Sequence, residues 1–180
     1  MPYILPRILS LIQYKNDIED NIDESMRLER CECCGKLGPQ RYGYYLRKSG
    51  RISGVDVSLN PIKIQRYYCP SCCRTMSVLP ECIPPRRWYL WEVQQAVLLL
   101  LLSGLSICAV AKTSQPSRHT VARWLARLKA QFLAQRDTLV RFKEDLCKSV
   151  TFTAFWQTCL GLMTLGEAMR ICHVTGVYVP

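Results

Sequence analysis

Arg66-Tyr67-Tyr68-Cys69-Pro70-Ser71-Cys72-Cys73-Arg74-Thr75-Met76-Ser77-Val78-Leu79-Pro80 is the stretch on which the fold turns. It carries a Cys-x-x-Cys pair, Cys69 and Cys72. A second pair stands upstream, Cys31-x-x-Cys34 followed by Gly35. In such a pair two thiolates straddle one tight turn whose backbone N–H groups point at the sulfurs. The residue after the second cysteine often needs an unusual φ, which Gly35 supplies. Two turns of this kind provide Cys31, Cys34, Cys69 and Cys72 as a closed tetrahedral set for a zinc ion. A closed set is structural, because no position is left for a water to be activated. Cysteines buried as small hydrophobes are the bland alternative, but two pairs at this spacing are the more specific signal. Cys33 and Cys73 lie beside these ligands, so an exchanged ligand set stays open.

The link between the pairs, Gly35 to Tyr68, is 34 residues long, more than the ~15–20 of compact fingers. It reads as a β-hairpin arm. Arg41-Tyr42-Gly43-Tyr44-Tyr45-Leu46-Arg47 forms one side and Lys63-Ile64-Gln65-Arg66-Tyr67-Tyr68 the other, with turns marked by Ser49-Gly50 and Asn60-Pro61. Alternation in Ile62, Ile64, Arg66 and Tyr68 supports a strand entering the second pair. The tyrosines fit the hairpin's own hydrophobic face better than a stacking role. Arg41, Arg47, Lys48 and Arg51 fit phosphate contacts better. Cys82, Cys108, Cys147, Cys159 and Cys172 are scattered and read as core packing.

Charge is unevenly placed over the 180 residues, whose formal net charge is +10. Asp17, Glu19, Asp20, Asp23, Glu24, Glu29 and Glu32 hold half of the 14 acids. From Cys33 to Lys143 there are 18 basic residues against four acids, Asp56, Glu81, Glu92 and Asp137. A basic block of this kind points to a polyanionic partner, nucleic acid before membrane. Met1 to Ser10 lacks the pattern of a signal peptide. An odd count of 11 cysteines, clustered in a reducing compartment, argues for metal ligands over disulfides. The reading expects a cytoplasmic, nucleoid-associated protein.

Beyond Pro84-Pro85, which cannot sit inside a helix, the chain becomes apolar at helical spacing. Glu92 to Leu102 reads as a helix stopped by Ser103-Gly104, where glycine suits a left-handed cap. Ser106 caps a short helix, Ile107 to Thr113, and Ser117 caps a third after the turn Ser114-Gln115-Pro116. Val121, Trp124, Leu125 and Leu128 form the inward face of that third helix, with Ala111 small where the two helices cross. Arg118, His119, Arg123 and Arg127 then face outward, with Ser117 and Thr120 at the helix start, as in a DNA-reading helix-turn-helix. Arg118 and Arg123 are the better base contacts, since bidentate Arg–guanine pairing is the commonest specific one. His119 fits a DNA contact or a solvated surface residue equally well. Trp88, Tyr89 and Trp91 read as core anchors. A rival reading takes Val93 to Ala111, 19 residues without a charge, as a short membrane span. Gln94-Gln95, Ser103-Gly104 and Ser106 speak against it.

The segment Gly104-Leu105-Ser106-Ile107-x-Ala109-Val110-Ala111, continued by Ser117-Arg118-His119-Thr120-Val121-Ala122-Arg123-Trp124-Leu125, resembles the helix-turn-helix of bacterial insertion-sequence transposases and resolvase-like proteins. Gln115-Pro116 stands where a glycine is usual and Ser114 where a leucine is usual. Arg66 to Pro80 similarly resembles the zinc ribbon at the N-terminus of such transposases, with Cys73 in place of the usual glycine. The similar region runs from about Cys31 to Phe132. The resemblance implies an α+β chain: a small four-cysteine zinc ribbon of β-hairpins, then a mainly α-helical helix-turn-helix region.

Leu125, Phe132, Leu139 and Leu146 continue the third helix in one seven-residue row, and Val121, Leu128 and Phe142 form another, broken by Gln135. The pattern fits either a homodimeric coiled coil through the helix around 121–146 or packing on the chain's own C-terminal segment. Thr164-x-x-Glu167 reads as a capping box for a last helix ending near His173. The expected organisation is a leader over 1–30, the ribbon over 31–85, the helix-turn-helix with a long third helix over 86–146, and a helical segment over 147–180. No convergent acids, Gly-rich phosphate loop or nucleophile–base set is recognisable, so the reading expects no enzyme and no small-molecule substrate. It expects double-stranded DNA as partner, with any transposition chemistry left to a separate transposase subunit. The alternatives are a transcriptional regulator unrelated to transposition and a membrane-attached zinc-ribbon protein.

Overall fold

The structure is a computed structural model that describes residues 2–5, 10–16, 27–48, 61–84 and 89–177. Arg51, Asp56, the turns at Ser49-Gly50 and Asn60, the acids between residues 17 and 24, and Arg86, Arg87 and Trp88 lie outside the described residues. The chain is α+β and divides into two compact units, Met1–Leu90 and Trp91–Pro180.

The first unit is built on a four-stranded sheet in the order β1-β4-β3-β2. The strands are β1 (Pro2–Leu5), β2 (Gln40–Arg47), β3 (Ile62–Cys69) and β4 (Arg74–Pro80). β2, β3 and β4 form an antiparallel meander, whereas β1 runs parallel to β4 with Pro2 opposite Ser77. The first residues are therefore a strand of the sheet, and the helix α1 (Leu11–Tyr14) follows. α1 lends Leu11 and Tyr14 to a core with Leu28, Ile62, Ile64, Tyr67, Met76, Val78, Leu79 and Ile83. The Tyr14 hydroxyl donates to the Lys63 carbonyl at 2.7 Å, which satisfies the one polar atom of an otherwise buried ring.

One register detail overturns a sequence expectation. Arg41 pairs with Tyr67, but Tyr44 pairs with Gln65, so β2 advances three residues where β3 advances two. Gly43 sits in this bulge at φ +72°, backbone that L side chains rarely adopt. The buried residues of β3 are Ile62, Ile64, Gln65, Tyr67 and Cys69, while Arg66 and Tyr68 are half-buried. The simple alternation of Ile62, Ile64, Arg66 and Tyr68 is thus corrected: the two isoleucines enter the core, and further along the strand the core takes Tyr67 and Cys69 instead.

In the second unit, helix α2 (Trp91–Leu102) buries Trp91, Gln94, Val97, Leu98 and Leu102. It ends at Gly104, whose φ is +96°. Helix α3 (Ile107–Thr113) is capped by Ser106, whose side chain accepts from the Ala109 N–H at 3.2 Å. Helix α4 (Arg118–Ala130) is capped by Ser117, accepting from Thr120 N–H at 3.4 Å. The apolar run Val93–Ala111 is therefore two helices and a turn, and among the described residues no helix is long and apolar enough to cross a membrane.

The expected single helix through residue 146 is corrected. α4 ends at Ala130 with Gln131 as its C-cap, α5 covers Phe132–Val140, and a 3-10 turn covers Glu144–Lys148. The apolar rows are taken up within the chain. Leu128, Leu139 and Leu146 are buried with Phe155, Trp156 and Cys159, and Phe132 meets Phe152 and Phe155 edge-on at 5.4 and 5.5 Å. The helix is interrupted at Gln131, and α6 (Phe152–Leu162) offers the aromatic surface on which the two pieces pack, with α7 (Leu165–Val174) adding Leu165, Ala168, Met169 and Cys172 to the same core. Phe142, which a continuous helix would place in the second row, is exposed. The expected capping box is present: Thr164 accepts from Glu167 N–H at 3.2 Å, and the Glu167 carboxylate accepts from Thr164 N–H at 2.7 Å. Trp91 packs at Gly166, where a Cβ would lie 3.2 Å from the indole.

Candidate metal centre and basic helix

Cys31 and Cys34 sit in a turn tied by Cys31 N–H to the Lys36 carbonyl at 2.9 Å and Gly35 N–H to the Cys31 carbonyl at 2.7 Å. Cys69 ends β3 and pairs with Arg74 at the start of β4, so Cys72 lies in the hairpin turn between them. The two turns share one geometry. The residue after each second cysteine is left-handed, Gly35 at φ +71° and Cys73 at φ +54°. Cys73 is the sole non-glycine with positive φ among the described residues. The glycine expected after a second cysteine is a real conformational demand, which the second turn meets with a strained side-chain residue.

The turns bring four sulfurs together. Cys31 Sγ lies 3.7 Å from Cys72 Sγ, Cys34 Sγ lies 3.7 Å from Cys69 Sγ, and all four lie within 4.8 Å of one another. A tetrahedron of sulfurs about 2.3 Å from a central ion has edges of about 3.8 Å. The cluster is thus close enough to hold a metal ion. Cys33 and Cys73 stand outside it: Cys33 N–H donates to Cys31 Sγ at 3.3 Å, and Cys73 Sγ reaches the Pro70 carbonyl at 3.7 Å.

The thiols feel this crowding. Burial acts to raise Cys31, but the backbone N–H groups of Cys33 and Cys34 and the neighbouring thiols outweigh it and bring it down to about 6. Burial and the hydrogen bonds to Cys31 and Cys69 push Cys72 up to about 12. Cys69 is lowered, first by its backbone N–H donors, and Cys34 is raised despite its own backbone donor. Four thiols at this distance cannot all ionise on their own; a dication at their centre would remove the conflict. The remaining cysteines divide: Cys82 packs against the first unit's core, and Cys159 and Cys172 lie in the second unit's core as expected, whereas two others depart. Cys159 and Cys172 are buried, and burial pushes each thiol up to about 12. Cys108 and Cys147 are exposed instead.

The basic face lies on α4. Arg118, His119 and Arg123 are exposed, Thr120 is half-buried, and Val121 and Trp124 are buried beneath them. α4 packs on α3, with Val110 and Val121 fully buried and Pro116 buried in the turn between. No acid occurs between Glu92 and Asp137, a span holding Lys112, Arg118, Arg123, Arg127, Lys129 and Arg136. Arg127 departs from the outward placement: it is half-buried, and its Nη1 is enclosed without a hydrogen-bond partner among the described residues. Arg47 also departs. It donates to the Pro84 carbonyl at 2.8 Å, and burial lowers its pKa, so its guanidinium braces the first unit. Arg41 and Lys48 are exposed.

The tyrosines divide between the core reading and solvent. Tyr67 is buried and Tyr45 half-buried, but Tyr42 and Tyr44 are 56% and 60% exposed. Tyr42 packs on Tyr68 with ring centres 5.7 Å apart, and the Arg66 guanidinium lies 5.3 Å from the Tyr42 centroid. The glycine in Tyr42-Gly43-Tyr44 is the signal available in the sequence, since a lone glycine within a strand pattern marks a bulge. The chain matches no protein-family model, and no curated protein or solved structure matches it.

Proposed function

We propose that the chain is a non-catalytic protein that reads duplex DNA, folded around a structural zinc ion, and serves a transposable element as a recognition or accessory module. The observation that carries this reading is the exposed Arg118, His119 and Arg123 at the capped start of α4, above the buried Val121 and Trp124. A short helix packed on a second across a tight turn offers the second helix's first residues to the major groove. Arg118 and Arg123 would pair with guanine edges. The acid-free stretch between Glu92 and Asp137 and the N-terminus of α4 favour phosphates on either side. Arg127, which is half-buried, and Arg47, which is bonded to the Pro84 carbonyl, are left out of the interface.

Zinc suits the cluster by its chemistry. Four thiolates with no carboxylate select a soft, tetrahedral ion over magnesium or calcium. When bound, the ion supplies cohesion: it joins the turn after Arg30 to the β3–β4 hairpin turn, two segments far apart along the chain. The link to transposition rests on the resemblance of Arg66–Pro80 and Gly104–Leu125 to transposase ends. In that setting the chain acts on DNA in the cytoplasm, and a separate transposase subunit performs the strand chemistry.

The test is binding to DNA flanking the native gene against a scrambled duplex, across a salt series. Tighter binding to the native ends, falling steeply with salt, supports the reading. Arg118→Gln and Arg123→Gln should each cost about 1–3 kcal/mol on the native duplex and less on the scrambled one. Equal weakening on both duplexes would remove the sequence-reading role. Absence of binding at low salt would remove DNA as the partner.

A further inference from the structure

A second aromatic and cationic surface lies in the first unit. β2 is the outermost strand of the sheet, and its first five residues are exposed. The bulge at Gly43 sorts its tyrosines: Tyr42 meets Tyr68 and Arg66, whereas Tyr44 lies near Lys63, whose Nζ is 5.8 Å from its ring centre. Tyr68 directly precedes Cys69, so the cluster that gathers the four thiols also fixes the strand beneath the rings. β2, β3 and β4 carry Arg41, Arg47, Lys63, Arg66 and Arg74 and no acid.

We propose that the face formed by Tyr42, Arg66 and Tyr68 is a platform for unpaired nucleotides of a single-stranded nucleic acid. Tyr42 is 56% exposed as a residue, with Tyr68 and the Arg66 guanidinium against part of its ring, and the remainder of the ring is π surface that a base can reach. Every base has a matching π face, so stacking is tolerant of sequence. In a duplex those faces are hidden in the stack, and only edges and phosphates reach a protein; a ring such as Tyr42 gains its full contact from an unstacked base alone. The cations decide between nucleic acid and an apolar protein partner. Arg66 lies against the ring that would stack the base, placing a guanidinium where the sugar-phosphate chain must leave it. With Arg47 held by the Pro84 carbonyl, the strand set still carries four cations, Arg41, Lys63, Arg66 and Arg74, and no acid, which disfavours basic partners and favours a polyanion. The proposal does not depend on α4 reading duplex DNA.

The test uses the full-length, zinc-loaded protein and fluorescence anisotropy with labelled oligo(dT), oligo(U) and a duplex. Tyr42→Ala should weaken single-strand binding on the order of ten-fold, because one stacked base is lost. Tyr42→Phe, which keeps the ring, should stay within about two-fold, and both variants should bind duplex as the parent does. Arg66→Gln should weaken single-strand binding and flatten its salt dependence by about one phosphate contact. Arg118→Gln should leave single-strand binding unchanged, so failure of the duplex reading and failure of this one are separable. Binding of either oligonucleotide supports the platform, and their ratio tells whether DNA or RNA is its natural strand. The platform is overturned if the parent binds neither oligonucleotide, if Tyr42→Phe loses as much as Tyr42→Ala, or if Tyr42→Ala weakens duplex binding equally. Unchanged zinc content verifies that each variant is folded.

Discussion

Cys73→Gly should stabilise the first unit, and Gly35→Ala, its counterpart in the other turn, should destabilise it. Both positions are left-handed, at φ +54° and +71°. An L side chain in that region costs about 1–2 kcal/mol. A glycine relieves this but loses about 0.5–1 kcal/mol more conformational freedom on folding. The net expectation for Cys73→Gly is a gain of about 0.5–1 kcal/mol. The thiol that is lost makes only a weak donation to the Pro70 carbonyl at 3.7 Å. At Gly35 a Cβ would meet nothing within 4 Å, so the cost of alanine is entirely backbone, about 1 kcal/mol. For a unit of this size about 1 kcal/mol moves the melting temperature by about 4–8 °C. The assay is thermal unfolding of the zinc-loaded chain, with zinc release followed by an indicator dye. Melting should rise in one variant and fall in the other, with one zinc per chain in both. A fall in melting or a loss of zinc in Cys73→Gly would refute the reasoning, because Cys73 would then be serving the metal.

Three further outcomes are expected. Cys69→Ser should abolish tight zinc binding and unfold the first unit, since opening a closed structural site removes the ion that links its turns; unchanged zinc stoichiometry and melting would contradict the ligand set. Gln135→Met should stabilise the second unit by about 1–3 kcal/mol in denaturant melts, because both amide atoms of Gln135 are enclosed without a partner among the described residues; a loss of stability would show that the amide is satisfied after all. The second unit should also weaken as pH rises above about 9. Cys159 and Cys172 are held at about 12 in the folded chain against an ordinary value of 9.0, so the neutral thiols favour folding fully below about pH 9. Between about 9 and 12 the unfolded thiols ionise first, and stability falls with a slope approaching about 1.4 kcal/mol per pH unit for each. Replacing both with alanine should flatten that slope, and an unaltered slope would exclude these thiols as its source.

The four-cysteine cluster was legible because each half of it is local chemistry. A Cys-x-x-Cys turn fixes its own two sulfurs, and Gly35 marks the backbone that turn requires, so the four residues could be named before any fold was known. The helix limits were legible for the same reason. Ser106, Ser117 and Thr164 cap helices through side-chain bonds reaching only three residues onward, and Gly104 stops one by its own φ.

The sequence by itself therefore determined which four cysteines gather, the caps and the apolar stripe of α4, the last two a matter of residues within a few turns of one another. The tertiary structure decided everything that depends on what a side chain meets from elsewhere. The seven-residue rows from Leu125 to Leu146 are compatible with a long helix, and only Phe152, Phe155 and Trp156 make bending at Gln131 the better burial. Arg47 reads as a surface cation until the Pro84 carbonyl, 37 residues away, claims it. Tyr42 reads as core until the Gly43 bulge turns it toward Arg66 and solvent. Periodicity specifies which residues share a face; what that face is packed against is a long-range fact, settled by the total surface the folded chain can remove from water.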